Sequence, residues 1–96
     1  MALRDDLVGR RQAILDLAAR YGATNLRLFG SVARGEERPD SDVDLLVEMA
    51  ANRGFADYIG LVEDLERLLG RRVEVVTERG LSPHFRPYIE AEARPL

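Results

Sequence analysis

Leu28-Phe29-Gly30-Ser31-Val32-Ala33-Arg34-Gly35, followed after a polar run by Ser41-Asp42-Val43-Asp44-Leu45, decides how this chain folds. It reads as the apolar end of a strand, a Gly-Ser turn, a short helix, an acidic loop and a second strand. A strand presents residues i and i+2 on one face. Asp42 and Asp44 therefore point one way, while Val43, Leu45 and Val47 point the other. Two carboxylates side by side repel unless positive charge lies between them. A divalent cation bound by hard oxygen ligands supplies that charge. A Gly-Ser turn opening a helix offers backbone N–H groups to a phosphate. Metal and phosphate together point to a nucleotide.

Upstream, residues 4–21 read as one helix, with Leu3, Leu7, Ile14, Ala18 and Tyr21 near helical spacing and Gly22 ending it. Asn25–Phe29 is a short strand, Gly30 its tight exit and Ser31 a favoured N-cap for one helical turn at Val32–Gly35. Glu36–Ser41 is a polar loop that Pro39 keeps out of a sheet interior. Downstream, Asp42–Glu48 is the second strand. Phe55, Tyr58, Ile59, Val62, Leu65 and Leu69 form one apolar stripe of a helix over Phe55–Leu69, which Gly70 stops. Arg72–Thr77 is a third strand, with Val73 and Val75 on one face and Glu74 and Val76 on the other. A loop at 78–82, a turn at 82–86 and a short helix at Pro87–Ala93 follow, and Pro95 is expected to end regular structure. The order α-β-α-β-α-β-α describes an α/β mixture with a small sheet. Helices packed on one face would leave the other open to a ligand.

The 96 residues suffice for one compact domain, 1–96, and one modest core. Net charge is −3, which argues against life on nucleic acid by bulk electrostatics. All 14 basic residues are arginine, so a phosphate clamp must use Arg or backbone, and no Schiff-base lysine exists. The absence of cysteine excludes disulfides and thiolate zinc sites. No apolar run has the length of a membrane span, and Met1–Asp6 is too acidic for a signal peptide. The expected compartment is the cytoplasm.

Gly-Ser, ten residues, then Asp-x-Asp would match by chance in about one per thousand chains of this size. With its context, Gly-Ser-Val-Ala-Arg-Gly followed by Ser-Asp-Val-Asp-Leu-Leu-Val resembles the minimal nucleotidyltransferase group of the polymerase-beta-like superfamily. The resemblance extends to Leu-Leu-Gly-Arg-Arg-Val-Glu-Val-Val-Thr at 68–77 and to the Pro-Tyr-Ile-Glu-Ala-Glu tail. It implies the nucleotidyltransferase fold, α/β (α+β), a small mixed sheet of three to four strands with helices packed on one face. It implies that Gly30 and Ser31 hold the β/γ-phosphates of ATP, and that Asp42 and Asp44 bind two Mg²⁺ ions. The third carboxylate falls at Glu74, where the family more often has aspartate; one extra methylene shifts the ligand geometry. Glu74 would be the base or a ligand of the metal that activates the acceptor hydroxyl. Arg34 follows the turn closely enough to neutralise phosphate.

Small proteins resembling this one serve as antitoxins beside a HEPN-domain RNase toxin, transferring AMP from ATP to a tyrosine of that toxin. A chain of this size has a nucleotide site but no further domain to grip a tRNA, an antibiotic or a primer, so a protein acceptor is expected, in a hetero-oligomer with the toxin. Neutralisation by complex formation alone, and modification of a small molecule with a second subunit, are the alternatives.

The remaining acids and the lone histidine have plainer assignments. Asp40, Asp42 and Asp44 alternate as in an EF-hand, but Leu45 and Ala51 stand where that loop needs Gly and Glu. His84, near two prolines and an aromatic, suits packing or the surface better than catalysis. Glu36, Glu37, Arg38 and Asp40 read as a solvated loop.

Overall fold

The structure is a computed structural model, and it describes residues 3–38 and 40–96. The expectation for Pro39 lies outside these residues. Helices α1 (Leu3–Gly9) and α2 (Arg11–Arg20) lead into strand β1 (Ala23–Phe29), the short helix α3 (Gly30–Arg34) and strand β2 (Val43–Met49). Helix α4 (Phe55–Leu69), strand β3 (Val73–Thr77), helix α5 (Arg86–Glu92) and the two-residue strand β4 (Arg94–Pro95) complete the order. The sheet runs β3-β2-β1-β4. Strand β1 is antiparallel to both β2 and β4, and β2 is parallel to β3. The parallel pair needs a crossover, and α4 is that crossover.

The alternation read in the strands is the alternation observed. Val43, Leu45, Val47, Val73 and Val75 are buried in the main core, against Leu61 and Leu65 of α4, Ile14 and Ala18 of α2 and Leu7 of α1. Each large apolar side chain among them contributes roughly 1.5–3 kcal/mol by leaving water. Helix α4 has the expected limits, and Gly70 closes it in the left-handed region. Gly60, inside α4, leaves room for the Tyr21 ring: a Cβ there would lie 2.5 Å from Tyr21 Cε1. Tyr21 in turn donates its hydroxyl to Asp64.

Five local departures from these expectations stand out. The expected single helix at 4–21 is two, broken at Arg10 (φ −102°, ψ 11°) after the poor helix former Gly9. The Arg10 N–H is shared between the carbonyls of Asp6 and Leu7, and its guanidinium reaches the Leu68 carbonyl at 2.8 Å. The apolar stripe survives the break because Leu7 and Ile14 both stay buried. Strand β1 starts earlier than Asn25, and its register with β2 shifts between Thr24 and Arg27, with Asn25 at φ 51°. Asn is among the few residues that visit this region. Strand β2 begins at Val43, not Asp42, and the last helix begins at Arg86 with Pro87 in its first turn. Pro95 does not end regular structure: Arg94 and Pro95 pair with Leu28 and Arg27, and the Leu96 N–H donates to the Leu26 carbonyl. A proline fits there because β4 is a sheet edge.

The second face of the sheet is covered at one end. Phe29 and Leu46 pack with Leu81, Val76 and Ile89 of α5 in a small separate cluster. Glu78 ties that region together. It forms ion pairs with Arg27 of β1 at 2.6 Å and Arg86 of α5 at 2.9 Å. Both arginines hold its carboxyl below the ordinary glutamate value, Arg27 most strongly. Glu78→Ala is expected to cost about 1–2 kcal/mol, since it leaves two half-buried guanidinium groups short of a partner. In a domain of this size that lowers the melting temperature by roughly 4–8 °C per kcal/mol. Because the folded-state value is depressed, the contribution is present above the ordinary glutamate range and fades as pH falls through the folded value. A melting-temperature difference that persists in strong acid would contradict it.

Candidate active site

Strand β2 places its carboxylates through its two neighbours. Asp44 stands opposite Phe29 on β1 and in register with Glu74 on β3. The core residues Val43 and Leu45 face the helices, so Asp44 and Glu74 share the other face. Asp42 lies just before β2, two residues from Asp44. Asp42 and Asp44 are half-buried and Glu74 is exposed. The entry into β2 is pinned from the β3 side: the Val43 N–H donates to the Arg72 carbonyl and Arg71 Nη1 to the Ser41 carbonyl, each at 3.0 Å. A groove of about 420 Å³ runs alongside, lined by Asp42, Glu74, Arg72, Glu66 and Tyr58.

The Gly-Ser turn is packed directly on Asp44. Gly30 has φ 75°, and a Cβ added to it would lie 3.1 Å from Asp44 Cγ and closer still to Oδ2. Only glycine admits both that backbone and that contact. Ser31 is not the N-cap of the helix, as its residue type suggests. Phe29, in extended backbone, takes the cap position, no side-chain bond caps the turn, and Ser31 sits in its first turn. The strand runs into α3 without an intervening residue, so the cap falls on the last strand residue. Gly35, left-handed at φ 71°, closes α3, and the Glu36 N–H donates to the Ser31 carbonyl at 2.8 Å.

The electrostatics of the site are those of crowded acids. Burial pushes the Asp44 carboxyl up to about 6, and the charge and hydrogen bond of Glu74 and the charges of Asp42 and Glu92 push the same way. Arg34 does not pair with Asp42 or Asp44. Its Nε contacts Glu36 at 3.1 Å and its Nη1 contacts Glu92 at 2.9 Å, and these two partners hold its pKa up. The acids around Asp44 are hard oxygen donors, the chemistry a divalent cation requires. In that sense the donor set fits Mg²⁺. No three carboxylates among the described residues already converge into a ligand cage.

The six residues singled out by sequence thus fall on two joined units. Gly30, Ser31 and Arg34 belong to α3; Asp44 and Glu74 lie on β2 and β3, with Asp42 just before β2, and Gly30 joins the units through Asp44. Glu92 has no role that its sequence position reveals. It lies in the apolar-acidic tail, 62 residues from Gly30, yet it accepts the Gly30 N–H at 2.9 Å. Only tertiary structure could find it. The EF-hand alternative fails structurally as well, because residues 43–49 are strand. His84 stacks edge-on with Phe85, ring centroids 5.0 Å apart, as a packing or surface residue would.

The profile of the nucleotidyltransferase domain matches residues 10–96. The protein adenylyltransferase MntA of Thermococcus cleftensis is 42% identical over 66 residues, which cover 69% of this chain and 67% of that one. A solved structure of a candidate minimal nucleotidyltransferase is 52% identical, superposes with a TM-score of 0.87 and is covered to 95% by 97% of this chain. A toxin–antitoxin structure with AMP-PNP shares the fold, with a TM-score of 0.75 at 22% identity over 88% of this chain and 69% of that one. The chain therefore belongs to the nucleotidyltransferase domain family, among its minimal members, and is a nucleotidyltransferase.

Proposed function

We propose that this chain is the antitoxin of a toxin–antitoxin pair and silences its partner, a HEPN-type RNase, by transferring AMP from ATP to a tyrosine of that partner. The observation that carries this is Asp44, half-buried against the Gly-Ser turn and crowded by Asp42 and Glu74. Support for a protein acceptor comes from the adenylyltransferase relative in Thermococcus, and support for a toxin partner from the toxin–antitoxin assembly with the same fold. The acidic balance of the chain disfavours nucleic acid as acceptor. The reaction belongs in the cytoplasm, where ATP is available, in a hetero-oligomer with the toxin.

Gly30 and Ser31 bind the β- and γ-phosphates, and Arg34 neutralises their charge. Asp42, Asp44 and Glu74 would hold two Mg²⁺ ions, which when bound neutralise the triphosphate and lower the pKa of the acceptor hydroxyl. The acceptor oxygen forms a bond to the α-phosphorus, the α–β bridging bond breaks, and pyrophosphate leaves. Glu74, the most exposed of the three acids, takes the hydroxyl proton. Asp44, fixed between Gly30 and Glu74, sets where the α-phosphate sits.

Co-expression with the product of the neighbouring gene is expected to leave one or more adenylate mass increments on a tyrosine of that partner, and none with Asp42→Ala. A partner that carries no increment yet is neutralised, by wild type and Asp42→Ala alike, would replace catalysis with complex formation. Adenylation of an added aminoglycoside instead of the partner would move the acceptor to a small molecule.

A further inference from the structure

Glu92 uses both carboxylate oxygens on the segment that holds the nucleotide motif. Oε1 accepts the Gly30 N–H at 2.9 Å, and Oε2 pairs with Arg34 Nη1 at 2.9 Å. The first contact has a clear origin in strand register. Strands β1 and β4 pair Arg27 with Pro95 and Leu28 with Arg94. Continued by two residues, this antiparallel register would oppose Gly30 to residue 92, but there the chain is helical, the end of α5. The Glu92 side chain supplies the acceptor that the helical main chain cannot. The second contact reaches Arg34, one helical turn beyond Gly30. Glu36 holds the Nε edge of the same guanidinium, so Arg34 is gripped on two sides.

We propose that Glu92 is a positioning residue for the nucleotide site: it fixes the Gly30 peptide and the Arg34 guanidinium together, and so couples the docking of α5 to phosphate binding. The proposal rests on the assignment of Gly30, Ser31 and Arg34 to the phosphates. Helix α5 is a firm anchor for this task, since Ile89 packs in the Phe29–Leu46 cluster and Arg86 is bound to Glu78. The opposite possibility is a carboxylate that blocks the site by occupying two phosphate donors. The direction of the Gly30 N–H speaks against it. It points to the β4 side of β1, whereas Asp44 approaches from the β2 side. The surroundings of Glu92 also favour positioning over stability. The Glu92 and Arg34 side chains are 30% and 45% exposed, and ion pairs this open add little to folding.

The test compares wild type, Glu92→Ala, Glu92→Gln and Glu36→Ala. Transfer kinetics with ATP and Mg²⁺ on the partner protein are measured together with amide hydrogen exchange at Gly30. Glu92→Ala is expected to raise KM for ATP about tenfold, with kcat changed by less than about threefold. It should also speed Gly30 exchange. Glu92→Gln keeps an oxygen for the Gly30 N–H but loses the charge for Arg34, so exchange stays slow and KM rises by only about threefold. Glu36→Ala leaves Gly30 exchange unchanged. A lower KM in Glu92→Ala would overturn positioning in favour of blocking. An unchanged KM with unchanged exchange would overturn the proposal outright. Wild-type protein without transfer activity would instead overturn the transferase mechanism, while the exchange comparison still decides whether Glu92 holds the turn.

Discussion

Asp44→Asn is expected to lower nucleotidyl transfer about a thousandfold and, at neutral pH, to make the protein more stable. The two effects have one cause. Burial and the neighbouring charges of Glu74, Asp42 and Glu92 raise the Asp44 carboxyl from its ordinary 3.8 to about 6. The folded state therefore binds the proton more tightly than the unfolded chain. Its stabilising share is complete below the unfolded value and is lost as pH rises through 6. At about pH 7.5 the ionised carboxylate opposes folding. Asparagine keeps the shape and removes the charge. Asp44 is half exposed, so the full shift is not realised as stability; after screening, about 1 kcal/mol remains. That predicts a melting temperature higher by roughly 4–8 °C at about pH 7.5, and no difference below about pH 4. Transfer falls by about three orders of magnitude, on the order of 4 kcal/mol of transition-state stabilisation. Added Mg²⁺ is expected to raise the melting temperature of wild type and not that of the variant. A variant that melts lower than wild type at neutral pH would show that the acids around Asp44 do not repel it as described.

Gly30→Ala separates backbone strain from steric displacement when set beside Gly35→Ala. Both glycines are left-handed, at φ 75° and φ 71°. Alanine there costs about 1–2 kcal/mol at either site. The surroundings differ. A Cβ at Gly35 meets nothing within 4 Å, whereas one at Gly30 runs into the Asp44 carboxylate. Asp44 can turn aside, because the colliding atom is the end of a side chain, so the fold survives. The carboxylate then leaves its place between Gly30 and Glu74. A displacement of about 1 Å in such a group costs on the order of 10²-fold in rate. Gly30→Ala should thus lose transfer by that factor or more, and Gly35→Ala should lose a similar amount of stability with transfer nearly intact. Calorimetry with single-turnover AMP transfer distinguishes them; equal rates in the two variants would remove the steric link between the turn and Asp44.

The legible parts of the chain were those set by short spacing. Helix α4 declares itself through an apolar stripe over four turns, and its limits at Phe55 and Leu69 match the sequence pattern because Gly70 ends it locally. The alternation in β2 and β3 sorts Asp44 and Glu74 from the valines by the pleat alone. Where the expectation slipped most, a distant partner or a neighbouring strand was involved. The break at Arg10 is stabilised by the Leu68 carbonyl, the register shift near Asn25 concerns its pairing with β2, and Arg94–Pro95 is a strand only because β1 lies beside it.

The candidate site divides along the same line. Sequence by itself determined the turn at Gly30, the separation of Asp44 from the core valines of its strand and the class of chemistry, because each depends on residues within a turn or a strand of one another. Tertiary structure decided the pairing of Arg34 with Glu92, the seat of Gly30 on Asp44, the register that sets Glu74 beside it and the acceptance of the Gly30 N–H by Glu92. Those contacts join segments 14 to 62 residues apart, where no local periodicity constrains which side chains meet and only the packing of the sheet does.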